Sequence, residues 1–135
     1  MSTETIEVLL VRPMEKPQVV QIEDSLESMQ KVVGGLIEEY MPFVDEVALV
    51  CNEEGKMLGL PLNRGIYDEQ NNLLDIIAGD IFVCYAPIES EKFLSLPEDM
   101  KKKYQEKFEH PEQFYRTFDG IKAIKLIPQK EEMER

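Results

Sequence analysis

Apolar residues occur along the chain in short runs, separated by charged or proline-containing segments. Thr5 to Val11 is rich in β-branched residues and closed by Arg12-Pro13, which predicts a buried strand. Met14 to Pro17 reads as a turn, because the flanking prolines cannot continue a ladder. Gln18 to Glu23 alternates, with Val20 and Ile22 on one face, and predicts a half-buried strand paired with the first. Asp24 then reads as a helix N-cap, and Glu27 completes a capping box. Leu26, Met29 and Val33 recur at helical spacing until Gly34-Gly35 supplies a left-handed stop.

Leu36 to Tyr40 and Glu46 to Cys51 read as two further strands separated by Pro42. The polar loop Asn52-Glu53-Glu54-Gly55 followed by Lys56 to Leu60 predicts a hairpin, with Gly55 at positive φ. Pro61 to Gly65 breaks the pattern, Asp75 to Gly79 reads as a helical turn or bend, and Asp80 to Ala86 as a strand. From Ser95 the period changes. Ser95 and Glu98 form a second capping box, and Leu96, Met100, Tyr104 and Phe108 make one apolar stripe. Lys101, Lys102 and Lys103 lie off that stripe and read as a solvated face, while Pro111 ends the helix. Glu112 to Tyr115 adds one more helical turn, and Ile121 to Ile127 a last strand. Strands and helices do not alternate strictly, so the predicted fold is α+β, with a mixed or largely antiparallel sheet and two main helices. Such a sheet is able to close into a half-barrel. One domain is expected over residues 1–135, with a core over about 5–127 and a charged tail over 128–135.

Composition narrows the function classes. The apolar fraction of 43% suits a globular chain, and no run approaches the roughly 20 apolar residues that cross a bilayer. Met1 to Glu7 is polar and acidic, unlike a secretory signal, so a cytoplasmic location is expected. Two cysteines are too few for a disulfide framework, and Cys51 and Cys84 sit in apolar runs as inert, reduced core thiols. The net charge of −12 is uneven: residues 1–91 carry 5 basic against 18 acidic groups, and residues 92–135 carry 10 against 9. Such a field repels phosphate backbones, which disfavours direct nucleic-acid binding and favours basic protein partners. Acidity of this size also serves solubility by itself.

Familiar chemistries are missing. The single histidine, His110, precedes Pro111 at a helix end, where it complements the C-terminal dipole. One His, two separated Cys and no Cys-x-x-Cys leave no zinc site, and neither phosphate-binding glycine loop nor serine elbow is present. No catalytic residue, metal or cofactor is therefore assigned, and nothing argues for an enzyme. The paired acids Glu38-Glu39, Glu53-Glu54 and Asp68-Glu69 read as solvated turns, and Asp68 to Asn72 matches a calcium loop only in part. Leu58 to Gly65 stands out instead. There Asn63 and Arg64 offer amide and guanidinium groups within a base-poor region. Arg64 either pairs with Asp68 or Asp75 to pin the loop, or binds a carboxylate, phosphate or partner backbone. The binding candidates are Asn63, Arg64, Asn52, Asp68 and Asp75.

Val47 to Lys56, then Gly59-Leu60-Pro61 with Asn63-Arg64, then Asp75 to Gly79, together resemble a family of unknown function. That family is met in bacteria, chiefly Firmicutes, and in their phages, plasmids and conjugative elements. Val33 to Glu38 fits the same pattern. Phe93 to Pro97, Tyr104, Phe108 and Pro111 to Phe114 resemble the C-terminal extension of many such proteins, so the likeness runs from residue 6 to residue 118. It implies an accessory domain of mobile elements and transfers no catalytic residue. The first expectation is a non-enzymatic module that binds a protein, such as one encoded by the same element. The alternatives are an acidic nucleic-acid mimic that occupies a host DNA-processing enzyme, and a small-molecule enzyme with a pocket near Arg64. An exposed last strand would also offer an edge to a second copy.

Overall fold

The structure is a computed structural model that describes residues 4–127. In chain order its elements are β1 (Thr5–Val11), β2 (Gln18–Glu23), α1 (Leu26–Val33), β3 (Ile37–Tyr40), β4 (Val47–Asn52), β5 (Leu62–Tyr67), β6 (Leu73–Ala78), β7 (Ile81–Tyr85), α2 (Glu98–Lys107), β8 (Glu112–Thr117) and β9 (Gly120–Lys125). The fold is α+β, and every ladder is antiparallel. A five-stranded sheet runs β2-β1-β7-β4-β3, with β5-β6 and β8-β9 as separate two-stranded sheets. Among the described residues no sheet closes into a barrel. Among the described residues no helix is long and apolar enough to cross a membrane.

The continuous apolar runs are central because both faces of the five-stranded sheet are covered. Side chains alternate across a strand. Ile6 and Val8, Ala48 and Val50, and Phe82 and Cys84 therefore share one face, where Met29 and Val33 of α1 cover them. Leu9 and Val11, Val47, Leu49 and Cys51, and Ile81 and Val83 share the other. There they meet Ile66 of β5, Ile77 of β6, and Leu96, Tyr104 and Phe108 along α2. Cys51 and Cys84 thus lie on opposite faces of the sheet as free thiols, out of reach of each other.

Several expectations are corrected. Helix α1 is capped by Ser25, whose Oγ accepts from Ser28 N at 3.1 Å, because Asp24 N is still bonded to Glu4 O. No hairpin strand follows Cys51: β4 already has β3 on one edge and β7 on the other, so residues 53–59 fold as turns. Its positive φ falls at Gly59, not Gly55. Pro61 to Gly65 is not a break but leads into β5, Asp75 to Ala78 is part of strand β6 rather than a helical turn or bend, and Glu112 to Tyr115 is strand β8 rather than a helical turn. The N-cap of α2 is Pro97, because Ser95 Oγ accepts from Glu7 N at 2.9 Å instead. Lys101 is buried, not solvated, between the carboxylates of Glu7 and Glu98.

Ion pairs and hydrogen bonds attach α2 to the sheet. Lys101 meets Glu7 of β1, and both Lys103 Nζ and Tyr104 Oη donate to Asp45 Oδ2, at 2.6 and 2.7 Å. Donation from Lys101 lowers the pKa of Glu7, and donation from Lys103 and Tyr104 lowers that of Asp45. A carboxylate depressed on folding contributes stability that is present above its unfolded pKa and lost as pH falls through the folded one. Stability is therefore expected to fall as pH drops below about 4. Lys101→Met should flatten that acid limb in urea titrations at several pH values, and an unchanged limb would refute the role given to the pair.

Two glycines separate backbone strain from steric strain. Gly34, the C-cap of α1, has φ 80°, and a Cβ there would touch nothing. Gly79 has φ 82°, and a Cβ there would stand 2.8 Å from Leu60 Cδ1. Gly34→Ala should cost about 1 kcal/mol for the left-handed backbone alone, and Gly79→Ala clearly more. Equal losses in chemical denaturation would show that Leu60 yields freely.

Candidate functional site

β5 begins irregularly. Its pairing with β6 shifts between Leu62 and Arg64, so Asn63 is left between the paired positions and turns inward. The Asn63 amide donates to Val11 O at 2.9 Å and to Gly79 O at 2.7 Å, joining β1 to the β6–β7 turn. Its Oδ1 accepts from Arg64 Nη1 at 2.9 Å.

Arg64 is completely buried, and its guanidinium is satisfied without any carboxylate. Nε and Nη2 donate to Phe108 O at 3.1 and 2.9 Å, and Nη2 also reaches Glu15 O at 2.6 Å. Nη1 reaches Arg12 O and Asn63 O, each at 3.3 Å. Phe108 caps the C-terminus of α2, where carbonyls lack intrahelical partners and the helix dipole is negative. Burial lowers the pKa of Arg64, partly opposed by the nearby charge of Glu112. The expected pairing with Asp68 or Asp75 is not formed. Asp75 Oδ1 accepts from Lys56 Nζ at 2.8 Å, and Asp68 caps its own turn by accepting from Gln70 N and Asn72 N. Arg64 is thus a latch within the fold, with no free N–H for a ligand, and it lines none of the cavities described below.

Glu112, the first residue of β8, is buried beside this latch. Its Oε1 accepts from Gly65 N at 3.1 Å and from Tyr67 Oη at 2.8 Å, which ties β8 to β5. Burial, and then Glu112 as acceptor, pushes the Tyr67 hydroxyl well up. A Cβ at Gly65 would come within 2.7 Å of Leu73 Cδ1 and 2.9 Å of the Tyr67 ring, so any larger residue there would have to displace both side chains.

The open concavity lies elsewhere, where β3 and the end of β4 face β6. It has a volume of about 270 Å³ and carries Glu38, Glu53, Glu54 and Asp75 with the Tyr40 ring. Lys56 is the single base on its walls, and Asp75 already holds it. Asn52 anchors the rim: its amide donates to Val33 O at 3.2 Å, and its Oδ1 accepts from Glu54 N at 2.8 Å. Burial, and then the charge of Asp75, raises the pKa of Tyr40. Burial, reinforced by Glu38 and Asp75, pushes the Cys51 thiol up to about 11. At neutral pH that thiol is a poor nucleophile, and what the cleft offers chemically is a negative field around an aromatic ring.

The structure therefore splits the five candidates. Asn52 and Asp75 share the cleft, Asn63 and Arg64 form the latch, and Asp68 stands apart in the β5–β6 turn. Sequence reasoning missed Glu38, Tyr40 and Lys56 in the cleft and Glu112 beside the latch. Glu38 and Tyr40 sit in a short edge strand whose paired acids read as solvated, and nothing local marks Glu112 as buried. Among the described residues no cluster of three His, Cys, Asp or Glu side chains is placed to hold a metal ion.

The family model described as Domain of unknown function (DUF3846) matches residues 6–109. No curated protein and no solved structure matches the chain.

Removing the latch strands carbonyls of three segments. Arg64→Ala should cost about 3–5 kcal/mol in urea unfolding, as for other broken buried networks. Arg64→Lys should recover little, because an ammonium has three donors and lacks the planar fork. A loss below about 1 kcal/mol for either would show that water replaces the guanidinium.

Proposed function

We infer the function from one premise: the chain belongs to the DUF3846 family, a domain of unknown function, so its role must be read from its own surface. We propose a non-enzymatic protein-interaction module that receives a basic side chain of a protein partner in the cleft between β3–β4 and β6. The observation that carries this reading is the wall of Glu38, Glu53, Glu54 and Asp75 around Tyr40, whose one lysine is already neutralised by Asp75. A lysine or arginine entering there meets the acids Glu38, Glu53 and Glu54 and an aromatic face without displacing Lys56 from Asp75. The resemblance to proteins of phages, plasmids and conjugative elements supports an accessory role in a mobile element, with the partner encoded beside it or by the host.

An acidic nucleic-acid mimic is less well supported, because several of the acids it would need are engaged. Glu7, Asp24, Asp45, Asp75, Asp80 and Glu98 each face a lysine or arginine. The enzyme reading loses its centre, since Arg64 is enclosed by backbone carbonyls.

Affinity capture from nuclease-treated native-host lysate, quantified by mass spectrometry, tests the reading. The double variant Glu38→Lys/Glu54→Lys should lose a basic protein that the wild type retains, by at least tenfold, with an unchanged melting temperature. Retention by the variant, or capture of nothing by the wild type, would overturn it. Capture of a DNA-processing enzyme that survives the double variant but is lost on neutralising Glu15, Glu23 and Glu27 would establish mimicry instead.

A further inference from the structure

The β8–β9 hairpin lies outside the matched family span and, among the described residues, pairs with no other strand. Its register places Glu112, Phe114, Arg116, Ile121, Ala123 and Lys125 on one face, toward the body through Glu112. Gln113, Tyr115, Lys122 and Ile124 point the other way. At the tip, Thr117 Oγ1 donates to Gly120 O at 2.7 Å, and Gly120 takes φ 126°, so the turn is defined rather than loose. That defined turn holds Phe118 wholly in solvent, with a relative exposure of 107%.

Beside the tip is an apolar groove of about 340 Å³, walled mainly by Leu62, Leu73, Leu74, Ile76 and Ile121. Leu74 is 55% exposed within it. We propose that two copies of the chain associate about a two-fold axis near the hairpin tip, each inserting Phe118 into the Leu73–Leu74–Ile121 groove of the other.

Adjacency argues for a second copy as the occupant. Phe118 and Ile121 are three residues apart, hence within about 11 Å along the chain. A two-fold axis sets a patch against itself, so donor and acceptor that share a patch are satisfied together and the assembly closes. Charge agrees. The accessible charges of the hairpin are Arg116, Lys122 and Lys125 against Asp119, whereas the β5–β6 unit carries Asp68, Glu69 and Asp75 with its one arginine buried. Lys56, which also lines the groove, is paired with Asp75, so Asp68 and Glu69 give the unit its net negative charge. Reciprocal docking sets each basic hairpin on the acidic unit of the other copy, while the acidity of residues 1–91 disfavours other orientations. Residues 128–135, Pro-Gln-Lys-Glu-Glu-Met-Glu-Arg, contain Met133 as their one large apolar side chain and are ill suited to fill the groove.

Sedimentation equilibrium of the full chain from about 1 µM to about 1 mM should show a reversible monomer–dimer system. Phe118→Ser and Leu74→Ser should each weaken it at least tenfold, with unchanged circular dichroism and melting temperature. Ile88→Ser, which removes another exposed apolar side chain on a different loop, should leave it unchanged. An equimolar mixture of the Phe118 and Leu74 variants keeps one intact contact and should dimerise more tightly than either alone. A wild type that stays monomeric across the range, a dimer indifferent to both substitutions, or open-ended growth with concentration would each overturn the proposal.

Discussion

The fold depends on one requirement: the positive charge of Arg64 lies inside the protein with no carboxylate partner. A guanidinium has five N–H donors in a rigid plane, and leaving them unbonded away from water is costly. Here carbonyls of Arg12, Glu15, Asn63 and Phe108, with the side-chain oxygen of Asn63, meet that need. Those acceptors come from the β1–β2 turn, the start of β5 and the end of α2. Three segments distant in sequence are thus held at one point, and the donor fork constrains their relative positions. Phe108 is well chosen electrostatically, because a helix C-terminus presents carbonyls that otherwise need water.

Much else follows from where that point lies. With the end of α2 held, Phe43 packs against Tyr104 in a tilted pair, ring centroids 5.2 Å apart, and edge-on against Phe108. With β5 held, β5-β6 lies over the face of the sheet that carries Leu49 and Cys51. The acidic cleft occupies the margin where this cover stops, between β6 and the edge strand β3. Asn52 holds the cleft rim to the end of α1, close enough to Gly35 that a Cβ there would stand 2.8 Å from its amide nitrogen.

Legibility in the sequence followed the direction of polar side chains. β1, β4 and β7 were readable because both of their faces are apolar, and α1 because its stripe ends at a glycine pair. β5 and β8 were not readable as strands, since Asn63, Arg64 and Glu112 turn inward and break the alternation on which recognition rests. Lys101 misled for the same reason, as a charged residue off the apolar stripe that is buried by two carboxylates from different elements. Arg64 stood out correctly as unusual in a base-poor region. Its role was invisible, because all but one of its acceptors are backbone carbonyls, the farthest 52 residues away. Of the cleft, Asn52 and Asp75 were legible as polar residues beside glycine-rich turns. Glu38 and Tyr40 reach it only through the pairing of β3 with β4.

The latch also bears on where the domain ends. Every acceptor of Arg64 lies between Arg12 and Phe108, and the matched family span, residues 6–109, closes one residue beyond the last of them. The hydrogen bonds that hold β1, β5 and α2 together are complete within that span. What lies past it, the β8–β9 hairpin, joins the body through the Glu112 carboxylate on Gly65 and Tyr67, using groups that the latch leaves free. An element added to a closed network in this way need not complete the core. Its apolar tip is then explained more readily by contact outside the chain than by packing within it.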